Sequence, residues 1–348
     1  MIRVLLVDDS ATAREVLRAI LEHDPDVRVI GEAHDGIEAV RMAEELAPDL
    51  IVMDVHIPGA DGITATREIM HRAPTPILIV SAVGDRDVDL SLTATQAGAL
   101  MALPKPESPN SPRFAGAASE LRQMARAMAG VRVVRRWSRA PGGAAPPPRR
   151  GRAGRRPPTL IAMAASTGGP AALRQVLVDL PAGLTVPILI VQHIARDFTA
   201  GFATWLARGL GHEVVLAAHG QALRPGTVYV GPEDRHLGVD AEGRVELGAE
   251  PPRNGFRPSA SHLFESAARA YGPRLAAVVL TGMGSDGADG LVAARAAGGF
   301  VIAQDEATSV VFGMAQEAVR RGAVDAVLPL EQIAPRLVSL LEVDTRGD

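Results

Sequence analysis

Two blocks of short apolar runs alternating with helix-period segments, parted by an arginine- and proline-rich stretch, constrain this chain more than any other feature. In the first block the runs 2–7, 27–31, 50–53, 77–80 and 100–103 are too short and too apolar for amphipathic helices and predict buried strands. Segment 11–21 carries Val16, Leu17, Ile20 and Leu21 on one face behind Ser10 as N-cap. Segments 37–46, 63–71, 86–97 and 119–128 predict the following helices. Five βα units in this order demand a parallel, doubly wound sheet. The second block repeats the grammar. Strands at 159–165, 187–192, 275–280, 300–303 and 323–328 alternate with helices at 170–180, 198–210, 258–271, 286–297, 314–321 and 330–341. Residues 227–247 predict short strands with turns. The whole chain is α/β, in two doubly wound domains with mainly parallel sheets.

The stretch between the blocks cannot fold alone. From Arg132 to Pro158 there are nine arginines, six prolines and no acidic residue. Such a segment buries too little apolar surface to offset its ordering entropy. The domains are therefore expected at 1–128 and 159–348, with a linker at 129–158. Without that stretch the net charge moves from -4 to -13, so the folded parts are acidic; the stretch itself could bind nucleic acid or anionic lipid, but a solvated tether is the better reading, and no nucleic-acid partner is expected. The absence of cysteine excludes disulfides and thiolate zinc sites and suits a reducing cytoplasm. Asp8 and Asp9 interrupt the N-terminus before any signal-like apolar core. No run reaches the roughly 20 apolar residues that span a bilayer. A cytoplasmic protein without membrane insertion is expected.

In an open parallel sheet, ligands bind beyond the carboxyl ends of the strands. Asp8 and Asp9 end the first predicted strand, Asp54 the third and Ser81 the fourth, and Lys105 follows the fifth. Three close carboxylates call for a cation, and a hard, oxygen-liking ion such as Mg²⁺ suits them. Asp54 could then accept a phosphoryl group whose new oxygens bond Mg²⁺, Ser81 and Lys105. Lys105 is the only lysine among 36 basic residues. The segments Val7-Asp8-Asp9-Ser10, Met53-Asp54, Pro58-Gly59-Ala60-Asp61-Gly62, Val80-Ser81 and Lys105-Pro106 resemble the flavodoxin-like (βα)5 receiver domains of two-component signalling. The resemblance implies Asp54 as phosphoacceptor, Asp8, Asp9 and Asp54 as Mg²⁺ ligands, and a histidine kinase as phosphodonor. His56-Ile57 stands where such receivers usually carry an acidic residue and Met.

In the second block Ala165-Ser166-Thr167-Gly168-Gly169-Pro170 follows an apolar strand and opens a helix. A serine there sits beside amide groups that favour developing negative charge. A helix cap or a phosphate-binding loop would use the same residues. The next strand, however, ends in His193, where a nucleotide site would want an acid. That favours a nucleophile with its base, with His236 and His262 as fallback bases. The glycine-rich Thr281–Ala288 loop can aim Asp286 to orient the imidazole; Asp289 lies a turn further on. The order Ser, His, Asp and the alanine at position 164 depart from the α/β-hydrolase elbow.

These motifs, with Val191-Gln192-His193, Phe256-Arg257-Pro258-Ser259, Leu263-Phe264-Glu265-Ser266, Thr281-Gly282-Met283-Gly284 and Ala303-Gln304-Asp305-Glu306-Ala307-Thr308-Ser309, resemble the catalytic domain of the CheB-type chemotaxis protein-glutamate methylesterases. The resemblance implies hydrolysis of glutamyl methyl esters on the cytoplasmic helices of methyl-accepting chemoreceptors, with release of methanol, and deamidation of receptor glutamines. Ser166 would be the nucleophile, His193 the base and Asp286 its orienting partner, with backbone amides near Thr167 and Met283 as the oxyanion hole. No cofactor is implied for the ester chemistry. The receiver is expected to restrain the esterase until a chemotaxis-type histidine kinase leads to phosphorylation of Asp54. Ala164, Ile194-Ala195, Ala315 and His219 depart from the family pattern without removing a reactive group. Two other readings stay open from the residues: a receiver-controlled esterase of small molecules, and a non-enzymatic regulator binding through the arginine-rich stretch.

Overall fold

The computed structural model describes residues 1–131, 133 and 156–342, so nearly all of the linker reading lies outside the described residues. The chain forms two compact units, each built on its own sheet.

In the first unit the elements are β1 (Ile2–Val7), α1 (Ala11–Leu21), β2 (Val27–Ala33), α2 (Gly36–Leu46), β3 (Leu50–Met53), α3 (Gly62–Arg72), β4 (Ile77–Ser81), α4 (Asp85–Ala97), β5 (Met101–Pro104) and α5 (Phe114–Ala129). The strands pair in the order β2-β1-β3-β4-β5, all parallel. Val4 to Val7 and Leu50 to Met53 are fully buried, as strands covered on both faces must be. The Ser10 hydroxyl accepts from the Ala13 N–H as the predicted cap of α1, and Asp35 and Asp61 cap α2 and α3. Helix α5 starts five residues before its predicted beginning.

The second unit follows as β6 (Leu160–Ala165), α6 (Gly169–Asp179), β7 (Ile188–Gln192), α7 (Thr199–Ala207), β8 (Glu213–Leu216), β9 (Thr227–Val230), β10 (His236–Val239), β11 (Val245–Gly248), α8 (Ala260–Tyr271), β12 (Leu275–Val279), α9 (Ala288–Ala296), β13 (Phe300–Gln304), α10 (Met314–Arg320), β14 (Ala326–Leu328) and α11 (Leu330–Leu341). Its seven-stranded sheet runs β14-β13-β12-β6-β7-β9-β8 with every pairing parallel, and β10 and β11 form a separate antiparallel hairpin. Strand β8 was not legible in the sequence. It is an edge strand whose residues are exposed or half-buried, so it lacks the apolar run that marks the central strands. The predicted strand at 323–328 shortens to β14 for the same reason at the other edge.

The chain leaves β6 toward β7 on one side and returns to β12 on the other. That reversal opens a crevice at the carboxyl ends of β6, β7 and β12. Helices α8 and α9 close in behind it. At Gly290 of α9 an added Cβ would lie 2.5 Å from the Ser261 carbonyl oxygen and 2.8 Å from Phe264 Cβ. An exposed glycine in a helix is normally improved by alanine. Here the contact reverses the sign: Gly290→Ala should lower unfolding stability by about 1–3 kcal/mol in denaturant titrations, and a stabilised variant would show that the helices do not pack this closely.

Candidate active site

Strand pairing brings the predicted nucleophile and base together. Ala165 of β6 is in register with Gln192 of β7, so Ser166 and His193 are the next residues along neighbouring parallel strands. The His193 N–H donates to the Ala165 carbonyl at 2.9 Å, and the Ser166 N–H donates to the Thr281 carbonyl at 3.1 Å. Both side chains are buried. The His193 ring stacks on Phe256 at 3.9 Å with a 7° interplanar angle. This leaves rotation within its own plane as its main freedom.

Asp286, beyond β12, completes the group. Its Oδ2 lies 3.0 Å from His193 Nε2. The ring N–H is not aligned well enough for a hydrogen bond, a misalignment common in substrate-free sites that a small ring rotation removes. The other partners of the carboxylate explain its precision. Oδ1 accepts from the Ser259 hydroxyl at 2.8 Å, the Gly287 N–H at 2.9 Å and the Ser261 N–H at 3.2 Å, and Oδ2 accepts from the Ala260 N–H at 2.7 Å. Asp286 thus satisfies orphan donors at the start of α8 while facing the imidazole. Burial alone would raise its pKa, but His193, the Ala260 N–H and the Ser259 hydroxyl outweigh burial and hold it at about 2. Asp289, the neighbouring acid, is exposed and paired with Arg321.

The fallback bases make other contacts. His236 Nδ1 accepts from the Ser259 N–H at 3.2 Å, which leaves Nε2 to donate to the Pro251 carbonyl at 3.1 Å. His262 stacks on His236 at 4.8 Å, and burial, then His236, push its pKa down. His219 accepts from the Leu247 N–H at 3.2 Å and braces β11.

The sequence reading named the Thr167 and Met283 amides as donors to a developing oxyanion. Among the described residues neither N–H donates a hydrogen bond within the protein. Their loops are tied down by groups the reading assigned no role. The Thr281 hydroxyl donates to the Thr167 carbonyl at 2.9 Å and accepts from the Val311 N–H at 3.0 Å. Gln304, at the end of β13, accepts from the Thr281 N–H at 2.8 Å and donates to the Thr308 carbonyl at 2.8 Å. Both appear in the quoted motifs, but only contacts across the sheet reveal what they hold.

The first unit gathers its own polar group at the carboxyl ends of β1, β3 and β5. Lys105 Nζ lies 2.5 Å from Asp8 Oδ2 and 2.8 Å from Asp54 Oδ2. Asp54 Oδ1 accepts from the His56 N–H at 3.1 Å, and the His56 ring pairs with Asp87 of α4 at 2.5 Å. Ser81 is fully buried at the end of β4, and its hydroxyl has no hydrogen-bond partner among the described residues. Burial raises the pKa of Asp8 more than Lys105 lowers it, while the two carboxylates hold Lys105 above its usual value against burial. Asp9 is exposed and makes no ion pair with Lys105 among the described residues. Among the described residues no three acidic or imidazole groups converge closely enough to enclose a metal ion as they stand. The fit to Mg²⁺ therefore rests on the hard oxygen donors of Asp8 and Asp54 and on the burial of Asp8 that Lys105 does not offset.

Because Asp286 is held near 2 when folded against an ordinary value of 3.8, its contribution to stability is complete above pH about 4 and fades as pH falls toward 2. Urea titrations between pH 5 and pH 2.5 should show wild type losing about 2 kcal/mol more than Asp286→Asn over that window; equal losses would show that Asp286 is not held in its charged form.

The response regulator receiver domain family model matches residues 4–112, and the CheB methylesterase family model matches residues 161–337. Over 340 residues the chain is 49% identical to protein-glutamate methylesterase/protein-glutamine glutaminase 4 of Myxococcus xanthus, covering 97% of this chain and 96% of that protein. A relative of the same name, numbered 3, from Anaeromyxobacter dehalogenans is 48% identical over 97% of this chain and 98% of its own length. The crystal structure of the Thermotoga maritima CheB methylesterase catalytic domain matches with a TM-score of 0.51 at 36% identity, covering 53% of this chain and 98% of that one. With a receiver domain in front and a strand-end Ser, His and Asp behind, this chain belongs to the CheB methylesterase family.

Proposed function

We propose that this chain is a phosphorylation-activated protein-glutamate methylesterase, and a glutamine deamidase, acting on the cytoplasmic helices of methyl-accepting chemoreceptors in sensory adaptation. The single observation that carries it is the meeting of His193 Nε2 with Asp286 Oδ2 at 3.0 Å one strand from Ser166. The relatives named for both activities agree in length and domain order. In this reading residues 1–128 are the receiver, 129–158 the linker and 159–348 the esterase, and the protein works in the cytoplasm. Among the described residues no helix is long and apolar enough to cross a membrane.

Asp286 faces Nε2, so Nδ1 of His193 is the nitrogen left to take the Ser166 proton; it is buried without a partner among the described residues. Ser166 Oγ attacks the ester carbonyl carbon as its proton passes to Nδ1. The carbonyl oxygen takes the negative charge, toward the amides of Thr167 and Met283. Collapse of that intermediate expels methanol, which leaves with the proton from His193. Water, deprotonated by the same nitrogen, then releases the glutamate carboxyl from Ser166. A glutamine side chain follows the same path with ammonia as leaving group. Asp286 stabilises the imidazolium at each proton transfer.

In the receiver, Asp54 accepts the phosphoryl group from a chemotaxis-type histidine kinase, and Lys105 and the unpaired Ser81 hydroxyl bond its oxygens. Asp8, Asp9 and Asp54 would hold Mg²⁺, which would supply positive charge against the phosphoryl oxygens.

Methanol release from methyl-labelled receptor membranes tests both sites. With Mg²⁺ and a small phosphodonor the rate should rise. Ser166→Ala should lose at least about a thousandfold, and Asp54→Ala should keep the basal rate but not its stimulation. Release that persists in Ser166→Ala would overturn the nucleophile, and hydrolysis of small esters alone would overturn the substrate.

A further inference from the structure

Gln192, the last residue of β7, is buried, and its side chain bonds the main chain of both reacting residues. Its Nε2 donates to the Ser166 carbonyl and to the His193 carbonyl, each at 2.8 Å. One amide group therefore joins the main chain of the nucleophile to that of the base. The orientation of the amide follows from its neighbours: reversed, it would set an oxygen against two carbonyl oxygens. The remaining atom, Oε1, is buried with no hydrogen-bond partner among the described residues. It lies 2.1 Å from where a Cβ on Gly169 would stand, at the start of α6. Only glycine there admits the amide, and the positive end of α6 offsets part of the cost of its unpaired oxygen. The Ser166 carbonyl also accepts from the Gly169 N–H at 2.8 Å, so the nucleophile's peptide is held from both sides.

We propose that Gln192 is a positioning residue of the ester hydrolysis, clamping Ser166 and His193 at their working separation, with Gly169 as the residue that makes room for the clamp. The inference rests on the roles given above to Ser166 and His193. Strand pairing sets the two residues side by side, but both stand beyond the last paired residues, Ala165 and Gln192. Past that point one backbone bond, from the His193 N–H to the Ala165 carbonyl, still joins β7 to β6, and misplacement by about 1 Å can cost a hundredfold in rate. The Gln192 amide adds a second cross-strand tie there, from β7 to the Ser166 carbonyl.

The test is steady-state methanol release by the full-length chain from methyl-labelled receptor membranes, comparing wild type, Gln192→Glu and Gly169→Ala. Gln192→Glu keeps the shape but turns a carboxylate oxygen toward the two carbonyls, and Gly169→Ala leaves Gln192 in place while displacing its Oε1. Each should lower kcat by about 10–100-fold with KM within about twofold. In Gln192→Glu the kcat ratio to wild type should recover as pH falls, because the protonated carboxyl regains one donor, a response that a general loss of packing would not produce. Thermal melts of each variant give the folded fraction against which rates are scaled. Rates within twofold of wild type in both folded variants, or a pH-independent deficit in Gln192→Glu, would overturn the clamp and leave the hydrolase reading intact. No methanol release from wild type would overturn the reading and the clamp with it.

Discussion

Parallel pairing of β6 with β7 on one side and β12 on the other is the constraint on which the second unit depends. A parallel sheet points all its carboxyl ends one way, so the loops that follow these three strands emerge on a single edge. Ser166, His193 and Asp286 are 27 and 93 residues apart along the chain, yet each needs only to end or follow a strand to reach the others. The register does the rest. An antiparallel neighbour would have sent one of them to the opposite edge. The same logic builds the first unit, where β1, β3 and β5 deliver Asp8, Asp54 and Lys105 to one place.

The two sites solve the problem of a buried carboxylate in opposite ways, and the difference matches the work each is asked to do. Asp286 is surrounded by donors from the start of α8 and by the imidazole, so it stays charged and still. A permanent anion is what a transient imidazolium needs. Asp8 has a lysine and one backbone N–H, and burial outweighs both. It is an incompletely neutralised carboxylate, poised for additional positive charge. The first is a finished electrostatic arrangement; the second gains when a cation arrives.

The correspondence between residue pattern and structure is closest where burial is complete. Strands such as Leu50–Met53 and Leu160–Ala165 are apolar on both faces, and no other element of that length tolerates such a composition. At the sheet edges the signal fails: Glu213–Leu216 forms β8 with exposed and half-buried residues and no run of buried apolar side chains. The placing of Ser166, His193 and Asp286 on one edge was legible because strand ends and glycine-rich turns leave marks in sequence. Their supports were not. Nothing about Ser259, Gln304 or Phe256 in isolation says that one donates to Asp286, another holds the Thr281 loop and the third stacks on His193.

The sequence by itself therefore determined the two α/β units, the placing of Ser166, His193 and Asp286 at strand ends, and the polar cluster around Asp54, because each depends on local rules of periodicity, strand ends and turns. The tertiary structure alone decided that His236 braces Ser259 while His193 faces Asp286, and that Asp8 and Asp54 share Lys105. Hydrogen bonds between distant segments depend on ångström-scale separations, and these exist only once the sheet register and the packing of α8 are in place.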